Sequence, residues 1–433
     1  MRNLFKNTLK SVLRFLAQAT IRRFTPTVVG ITGSVGKTSA KSAAVAVVGA
    51  TRRVRMAPDS HNNEFGFPLT ILGVWSESDL KLVSRKSAAG GHVFRKIWFW
   101  GKVIVLGFVR LVFMPKRFYP EVLVLEYGAD RPGDLRYLLE IARPTVGLVT
   151  AIGEIPVHIA FYEDAEAVVR EKSRLVEAVP ASGVIILNAD DPRVLGMKEK
   201  TRAKVITFGF GEASEVRITN FEHRFEEKDG VSVPVGVSFK LNYAGSFVPV
   251  RIPGAGGRAQ AYAVAGSAAI GVSFNLNLVT IAQALTKYQA APSRMQFIPG
   301  IHQSLLIDDS YNAAPLSMRL ALTTLEELPA KRRVAVIGDM RELGSHSAKV
   351  HRDIGALASG ICDLLVAVGT EAQFIVEGAL TAGLKQSAII QANSAEEVVE
   401  KLPDLIKPHD LVLIKASRAV GLEAVVKSLT KTD

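Results

Sequence analysis

Gly30-Ile31-Thr32-Gly33-Ser34-Val35-Gly36-Lys37-Thr38-Ser39 follows a β-branched apolar run, Thr27-Val28-Val29, and leads into an Ala-rich segment. That order predicts a strand, a tight glycine turn and a helix start. Such a turn is a phosphate cradle: Gly33 and Gly36 let the backbone amides close around an oligophosphate, Lys37 reaches the terminal phosphates, and the Thr38 hydroxyl holds Mg²⁺ at the positive helix end. Gly33, Ser34, Val35, Gly36, Lys37, Thr38 and Ser39 are therefore the first candidates for binding ATP. The usual loop has glycine five residues before Gly36, where this chain has Ile31 and carries Gly30 one place earlier, so only a variant loop fits. The competing reading is a glycine-rich turn that binds nothing.

The 433 residues favour two or three domains with ample core, and 48% hydrophobic content is that of a globular chain. The single cysteine, Cys362, excludes an internal disulfide framework and a cysteine-based zinc site, which points to a reducing compartment and a cytoplasmic protein. The net charge of +12 suggests nucleic acid until its distribution is read. Residues 1–23 hold six Lys/Arg and no acid, and residues 81–120 hold nine and no acid. The rest carries 38 basic and 41 acidic residues, the balance of an enzyme body, so no nucleic-acid partner is expected.

In residues 1–23, apolar residues such as Leu9, Leu13 and Leu16 alternate with Lys/Arg at helical spacing, giving a basic amphipathic helix. Arg14 interrupts what a secretory signal would keep apolar. Ile97 to Phe113 is apolar but contains Lys102 and Arg110 and is short for a bilayer span. Peripheral contact of 1–23 and 93–118 with the inner face of a membrane is the expectation; the alternative is that both pack on the protein or on a partner chain.

Beyond the loop, strands at Val122 to Leu125, Val146 to Thr150 and Val184 to Leu187 alternate with helices at 134–142 and 163–179, an α/β layout with a mostly parallel sheet. Residues 204–252 show short alternating runs split by Asp229-Gly230 and Ala244-Gly245, read as antiparallel hairpins attached to that sheet. An Ala-rich helix follows from about Ala259 to Gly271. Near Ala291-Pro292 the pattern restarts, with strands at Leu305 to Ile307, Val334 to Ile337, Leu364 to Val368 and Leu411 to Ile414, a second, Rossmann-like α/β domain. The division expected is 1–25 helix, 26–290 central ATP-binding domain with a basic apolar insertion at about 85–119, and 291–433 C-terminal domain.

Polar residues recur at strand ends. Glu126 ends Val122 to Leu125, where a parallel sheet binds ligands, and is a candidate magnesium ligand; alone, it is as readily a solvated acid. His158 and Lys172 are each weak by themselves, since a lone His is usually a surface or satisfied core residue and a lone helical Lys faces solvent. Asp308-Asp309-Ser310-Tyr311-Asn312, Gly338-Asp339-Met340 and Lys415-Ala416-Ser417-Arg418 put three more polar turns on one sheet edge.

Together with the loop, His61-Asn62-Asn63-Glu64-Phe65-Gly66-Phe67-Pro68, Leu125-Glu126-Tyr127-Gly128-Ala129, His158 to Lys172, Asn188-Ala189-Asp190-Asp191, Arg294-Met295, Asp308 to Pro315 and Gly338 to Gly344 carry a family resemblance. The chain resembles the Mur ligases, and within them the MurF branch. The resemblance covers about 26–430. It implies an ATP-dependent peptide-bond ligase that phosphorylates a carboxylate and lets an amine displace the phosphate, with a muramoyl tripeptide and D-alanyl-D-alanine as substrates in peptidoglycan precursor synthesis; a monomer is the separate expectation. It also implies that Thr38 and Glu126 hold one Mg²⁺, that His158 holds a second, and that Lys172 is carbamylated and binds metal, with Lys37, Lys172 and His158 forming the catalytic set. Asn63, Gln260, Arg294 and Asp309 become nucleotide contacts; Asn312, Lys415 and Ser417 become contacts to nucleotide or incoming amine.

The match has departures. Mur ligases acting on UDP-linked substrates usually carry a UDP-binding domain before the loop, where this chain has 29 residues, so that domain is expected to be missing. Gly256-Gly257 and Gln260 stand where the family shows His-Asn and then Asn, and Phe161-Tyr162 replaces Phe-Gly. Two other readings stay open: a ligase for another carboxylate, as in folylpolyglutamate or cyanophycin synthetases, and a membrane-associated ATP-binding scaffold without catalysis.

Overall fold

A computed structural model of the chain describes residues 2–57, 62–83, 93–228 and 231–431. His61 and the Asp229-Gly230 turn, and Arg85 and Lys86 among the nine basic residues counted in 81–120, lie outside the described residues.

Two sheets organise the molecule. The first has nine strands: β1 (Thr27–Thr32), β2 (Val54–Met56), β3 (Val122–Glu126), β4 (Val146–Val149), β5 (Val184–Asn188), β6 (Lys204–Gly209), β7 (Val216–Lys228), β8 (Val231–Tyr243) and β9 (Ser246–Pro253). Their order is β2-β3-β1-β4-β5-β6-β7-β8-β9, parallel as far as β7 and antiparallel between β7, β8 and β9. The chain moves from β1 to one side (β2, β3) and then to the other (β4, β5), so the crevice at the carboxyl end of β1 is a topological switch point, where open α/β sheets bind ligands. The second sheet runs β10 (Gln296–Pro299), β11 (Leu305–Asp308), β15 (Leu411–Lys415), β12 (Arg333–Gly338), β13 (Leu364–Val368), β14 (Ile389–Ala392), with only β10 antiparallel. The hairpins expected in 204–252 are present, but their strands are longer than the alternating runs suggested, because exposed alternate residues such as Phe247 break the pattern without breaking the ladder.

Helices α1 (Arg2–Phe24), α2 (Lys37–Val48), α3 (Gly66–Leu72), α4 (Glu77–Val83), α5 (Val93–Phe113), α6 (Asp134–Ile141) and α7 (Ala165–Ala178) surround the first half of the sheet. A short α8 (Pro192–Leu195) follows β5, and α9 (Arg258–Ser273), α10 (Leu278–Leu285) and α11 (Pro315–Glu327) complete the surroundings of the site. The alanines of α2 and α9 explain how the loop helix is held: with so little side chain between them the helices pack closely, the Ser267 hydroxyl donates to the Ala40 carbonyl at 2.9 Å, and a Cβ at Gly271 would meet Val47 at 2.6 Å. Gly30 is likewise a packing residue, since a Cβ there would come within 2.9 Å of Pro144 and Tyr127. Its place one residue early in the loop motif thus answers to the strand and not to phosphate.

α1 follows the packing alternative along most of its apolar face. Its apolar face, Leu9, Leu13, Leu16, Ala17 and Phe24, is buried against α3, α5 and α6, and Arg14 pairs with Glu140 at 2.9 Å. α1 spends this face on the protein, and among its described side chains Phe15 is the large apolar one left exposed.

The two sheets touch across the switch point. Gly256 N–H donates to the Met295 carbonyl at 2.8 Å, Ala160 N–H to the Glu342 carbonyl at 3.1 Å, and Arg258 pairs with Glu327 at 3.1 Å. Ile159 is buried among Met295, Met318 and Leu343 of the second half.

Candidate active site

β1 delivers the loop to the switch point. Gly36 is left-handed (φ 87°) and ends the turn, so that Lys37 begins α2. Gly33 has φ 142° and lies so near β4 that a Cβ would sit 2.0 Å from the Thr150 hydroxyl; only glycine fits. The loop is tied to the end of β4, with Ser34 and Val35 N–H both donating to the Ala151 carbonyl at 2.6 and 3.2 Å, while Thr150 donates to the Val35 carbonyl at 2.6 Å. Ser39 is buried in the first turn of α2.

Two lysines from distant parts of the chain meet here. Lys37 Nζ and Lys172 Nζ both donate to the Gly33 carbonyl, at 2.8 and 3.2 Å. Lys172 reaches it from α7, whose start is fixed by Asp164 accepting from Ala167 N–H at 2.6 Å. Burial lowers the pKa of both ammoniums; Lys172, with Lys37 adding to the effect, falls to about 7.

Glu126 ends β3, in register with Ile31. It is 2% exposed; Asn62 donates to Oε1 at 3.3 Å, Lys41 Nζ is 3.7 Å from Oε2, and Oε2 accepts no hydrogen bond among the described residues. A buried carboxylate oxygen with lone pairs to spare, on the strand beside the loop that carries Thr38, suits a hard cation. Magnesium takes one or two protein oxygens and completes its shell with phosphate and water, so Thr38 and Glu126 fit it. No group of three or more His, Cys, Asp or Glu able to hold a metal occurs among the described residues. Lys41 was missed in the sequence, although its place four residues after Lys37 puts both on one face of α2.

His158 stands between the two halves. Its Nδ1 pairs with Glu342 of the second half and its Nε2 lies 3.3 Å from Asp130. Both His158 (φ 70°) and Glu342 (φ 65°) are left-handed, an unfavourable backbone held at the contact itself. His158 would hold a cation only by exchanging one of these carboxylates.

The second half supplies the far wall. Arg294 Nη2 donates to the Thr38 hydroxyl at 3.4 Å and its guanidinium stacks 4.2 Å from the Tyr311 ring. Asp309 is buried beside Lys415 at 2.5 Å, and Lys415 also donates to the Asn312 carbonyl at 2.8 Å. Burial pushes the Asp309 carboxyl up and the Lys415 ammonium down, against their mutual attraction. Ser417 Oγ accepts from Arg341 N–H at 2.8 Å, fixing the turn after β12 to that after β15.

Two cavities adjoin the loop. One of about 390 Å³ lies on the β4–β5 side, walled by Val35, Gly36, Thr150, Phe208, Tyr262 and Leu316. Its floor is shaped by two acids of the Asn188 to Asp191 stretch: Asp191 accepts from Ile152 and Gly153 N–H at 2.7 and 2.9 Å, and Asp190 from Phe210 N–H and the Tyr262 hydroxyl at 2.6 and 2.8 Å. The other, about 60 Å³, joins Ser34, Gly36, Ser39 and Gln260 to Arg294, Asp309, Asn312 and Lys415. Gln260 bridges within its wall, donating to the Arg294 carbonyl at 3.0 Å and accepting from Tyr288 at 2.7 Å. Asn63 stands apart from both cavities: its Oδ1 accepts from Phe65 and Gly66 N–H at 3.1 and 2.9 Å and shapes the start of α3. A stacking-sized apolar cavity on one side of a phosphate loop and a charged one on the other together suit a purine nucleotide and the group it phosphorylates.

Comparison with known proteins agrees with this geometry. The Mur ligase middle domain profile matches residues 109–255, and that of the Mur ligase glutamate ligase domain matches 293–418. The UDP-N-acetylmuramoyl-tripeptide–D-alanyl-D-alanine ligase of Mycobacterium tuberculosis (strain H37Rv) is 30% identical over 430 residues, spanning 94% of this chain and 73% of that protein. The crystal structure of MurF from Acinetobacter baumannii superposes with a TM-score of 0.76 at 23% identity, covering 97% of this chain and 80% of that one. MurF from Thermotoga maritima in complex with ADP gives 0.75 at 24%, covering 97% and 83%.

Proposed function

The chain belongs to the Mur ligase family, and from that premise we propose that it adds D-alanyl-D-alanine to a muramoyl tripeptide in peptidoglycan precursor synthesis. It is an ATP-dependent ligase. The observation that carries the residue-level reading is the convergence of Lys37 and Lys172 on one loop carbonyl, faced by Arg294 from the opposite half.

The terminal phosphoryl of ATP passes to an oxygen of the peptide carboxylate and ADP departs; the amine of the dipeptide then attacks the acyl carbon, and the C–O bond to phosphate breaks as the amide forms. Charge builds on the phosphoryl oxygens in the first step, so positioned donors matter more than covalent chemistry. The Ser34 and Val35 amides are held by the Ala151 carbonyl, so the remaining amides of the Gly33 to Ser39 loop and the Lys37 ammonium are the donors proposed for that charge, and Arg294 closes on it from the second half. The nucleobase enters the cavity beside Phe208 and Tyr262, with Gln260 fixing the Arg294 backbone; Asp309, which borders the smaller cavity and pairs with Lys415, is the proposed ribose contact. Asn312 and Lys415 border the smaller cavity and are proposed contacts of the amine; Ser417, behind them, is proposed through the turn it fixes.

Mg²⁺, held by Thr38 and Glu126, would neutralise the phosphates when bound. His158 is the proposed ligand of a second ion. A pKa near 7 leaves much of Lys172 as the neutral amine that reacts with CO₂, so its carbamate is the proposed further oxygen donor. One chain supplies both walls and is taken as the working unit, in the cytoplasm.

Phosphate release from ATP and Mg²⁺ tests the reading. Muramoyl tripeptide and D-alanyl-D-alanine together should stimulate it and either alone should not. Stimulation by a folate and glutamate pair in their place would overturn it.

A further inference from the structure

α5 is apolar on two opposite sides, and only one is used. Phe99, Val103 and Gly107 face the body: Phe99 packs edge-on against Trp75, Arg110 lies over the same Trp75 and donates to the Leu72 carbonyl at 2.9 Å, and a Cβ at Gly107 would already touch Leu72. On the opposite side Phe94, Trp98, Val105, Phe108 and Val112 follow one another at helical spacing and all point to solvent, Phe94 at 88% and Trp98 at 77% exposure. Phe15 of α1 extends this stripe sideways, and an open trough of about 590 Å³ floored by Val12, Leu16, Ile104 and Val109 runs between the two helices. An apolar surface of this extent on a folded chain marks a binding face.

The charges name the occupant. Residues 93–118 contain six Lys/Arg and no Asp or Glu, with Arg95 and Lys96 at one end of the stripe and Lys116 and Arg117 at the other. α5 has 21 residues, yet among the described residues no helix is long and apolar enough to cross a membrane. A helix fixed flat on a protein, apolar outward and basic at both ends, matches an anionic bilayer surface: rings enter the acyl boundary while the cations meet headgroup phosphates. We infer that the α5 face, with Phe15, is a docking site for an anionic phospholipid membrane. α1, packed on both α5 and α3, links this face to the Asn62 and Glu126 corner of the ligase site.

The inference does not depend on the ligase reading, since its readout is binding to lipid. The full chain is sedimented with phosphatidylcholine vesicles and with vesicles also containing phosphatidylglycerol, at low and raised salt, while tryptophan emission is followed. Binding is expected only to the anionic vesicles, weakening with salt and shifting the emission of Trp98 to the blue. Trp98→Ser with Phe108→Ser, and separately Arg95→Glu with Lys96→Glu, should each lower the bound-to-free ratio by about tenfold or more, with circular dichroism and vesicle-free ATP turnover unchanged. Absence of binding by the unaltered chain, or binding indifferent to both pairs, overturns the inference. Concentration-dependent self-association abolished by the Trp98 and Phe108 pair, without vesicle binding, overturns it in favour of a second copy of this chain.

Discussion

Lys37 and Lys172, 135 positions apart in the sequence, donate to one and the same acceptor, the carbonyl oxygen of Gly33. Two ammoniums on a single carbonyl repel each other, and Lys172, buried where Lys37 is only half-buried, has the less water to disperse its charge. The structure answers by making Lys172 a weak acid, at about 7, in reach of the strand-end acid side of the site.

Lys172 should therefore make stability depend on pH. Its folded pKa lies below the unfolded value near 10.5, so between about pH 7 and 10 the unfolded chain binds more protons and stability rises with pH. Lys172→Met removes that cost. Without added CO₂ or metal, the variant should be the more stable below pH 7, by several kcal/mol at most, and its advantage should shrink as pH is raised to about 10. Urea titrations across that range measure it; an advantage independent of pH would refute the assignment of the shift to Lys172.

Carbamylation is read separately. With ¹³C-labelled bicarbonate at mildly alkaline pH, the unaltered chain should give a carbamate carbon resonance that Lys172→Met lacks. Lys37→Met should keep the resonance and lose ATP turnover by at least about a hundredfold, as expected on removing a donor aimed at developing charge.

Gly33 and Gly133 separate steric need from backbone preference. Both have positive φ, 142° and 90°, but only at Gly33 would a Cβ strike the Thr150 hydroxyl; at Gly133 nothing lies within 4 Å. Gly133→Ala should cost about 1 kcal/mol. Gly33→Ala should cost at least about 2 kcal/mol and abolish nucleotide binding, because the loop must leave β4. Thermal unfolding with and without ADP distinguishes the two.

Asp309 and Lys415 form a buried pair at 2.5 Å. Asp309→Ala leaves an ammonium buried without its carboxylate and should destabilise by about 3–5 kcal/mol. Asp309→Leu with Lys415→Met should recover most of that loss, while activity stays absent in both. A double-mutant cycle of Asp309→Leu, Lys415→Met and both together, by urea unfolding, gives the coupling energy, and additive losses would show that the pair contributes nothing as a pair.

Much of the site was legible because its signals are local. A glycine turn between an apolar run and an alanine run can only be a strand-to-helix loop, and polar residues closing apolar runs had to fall on the carboxyl edge of a parallel sheet. Glu126, Asp309 and Lys415 were placed at that edge in this way. Asn63 misled, because an Asn before a helix serves a capping turn as readily as a ligand, and only the fold shows its side chain turned to the Phe65 and Gly66 amides. α1 is a case of the same kind: its period announced an apolar face but not what covers it.

The sequence by itself determined the phosphate loop, the alternation of strand and helix, the two basic segments and the family, since each is written in residues that lie next to one another. The tertiary structure alone decided the pairings: Lys172 with the Gly33 carbonyl, Lys41 with Glu126, His158 with Glu342 across the halves, and α1 turned inward while α5 keeps an apolar face outward. Strand order and helix packing choose such partners by filling space, and neither is encoded by any short stretch of chain.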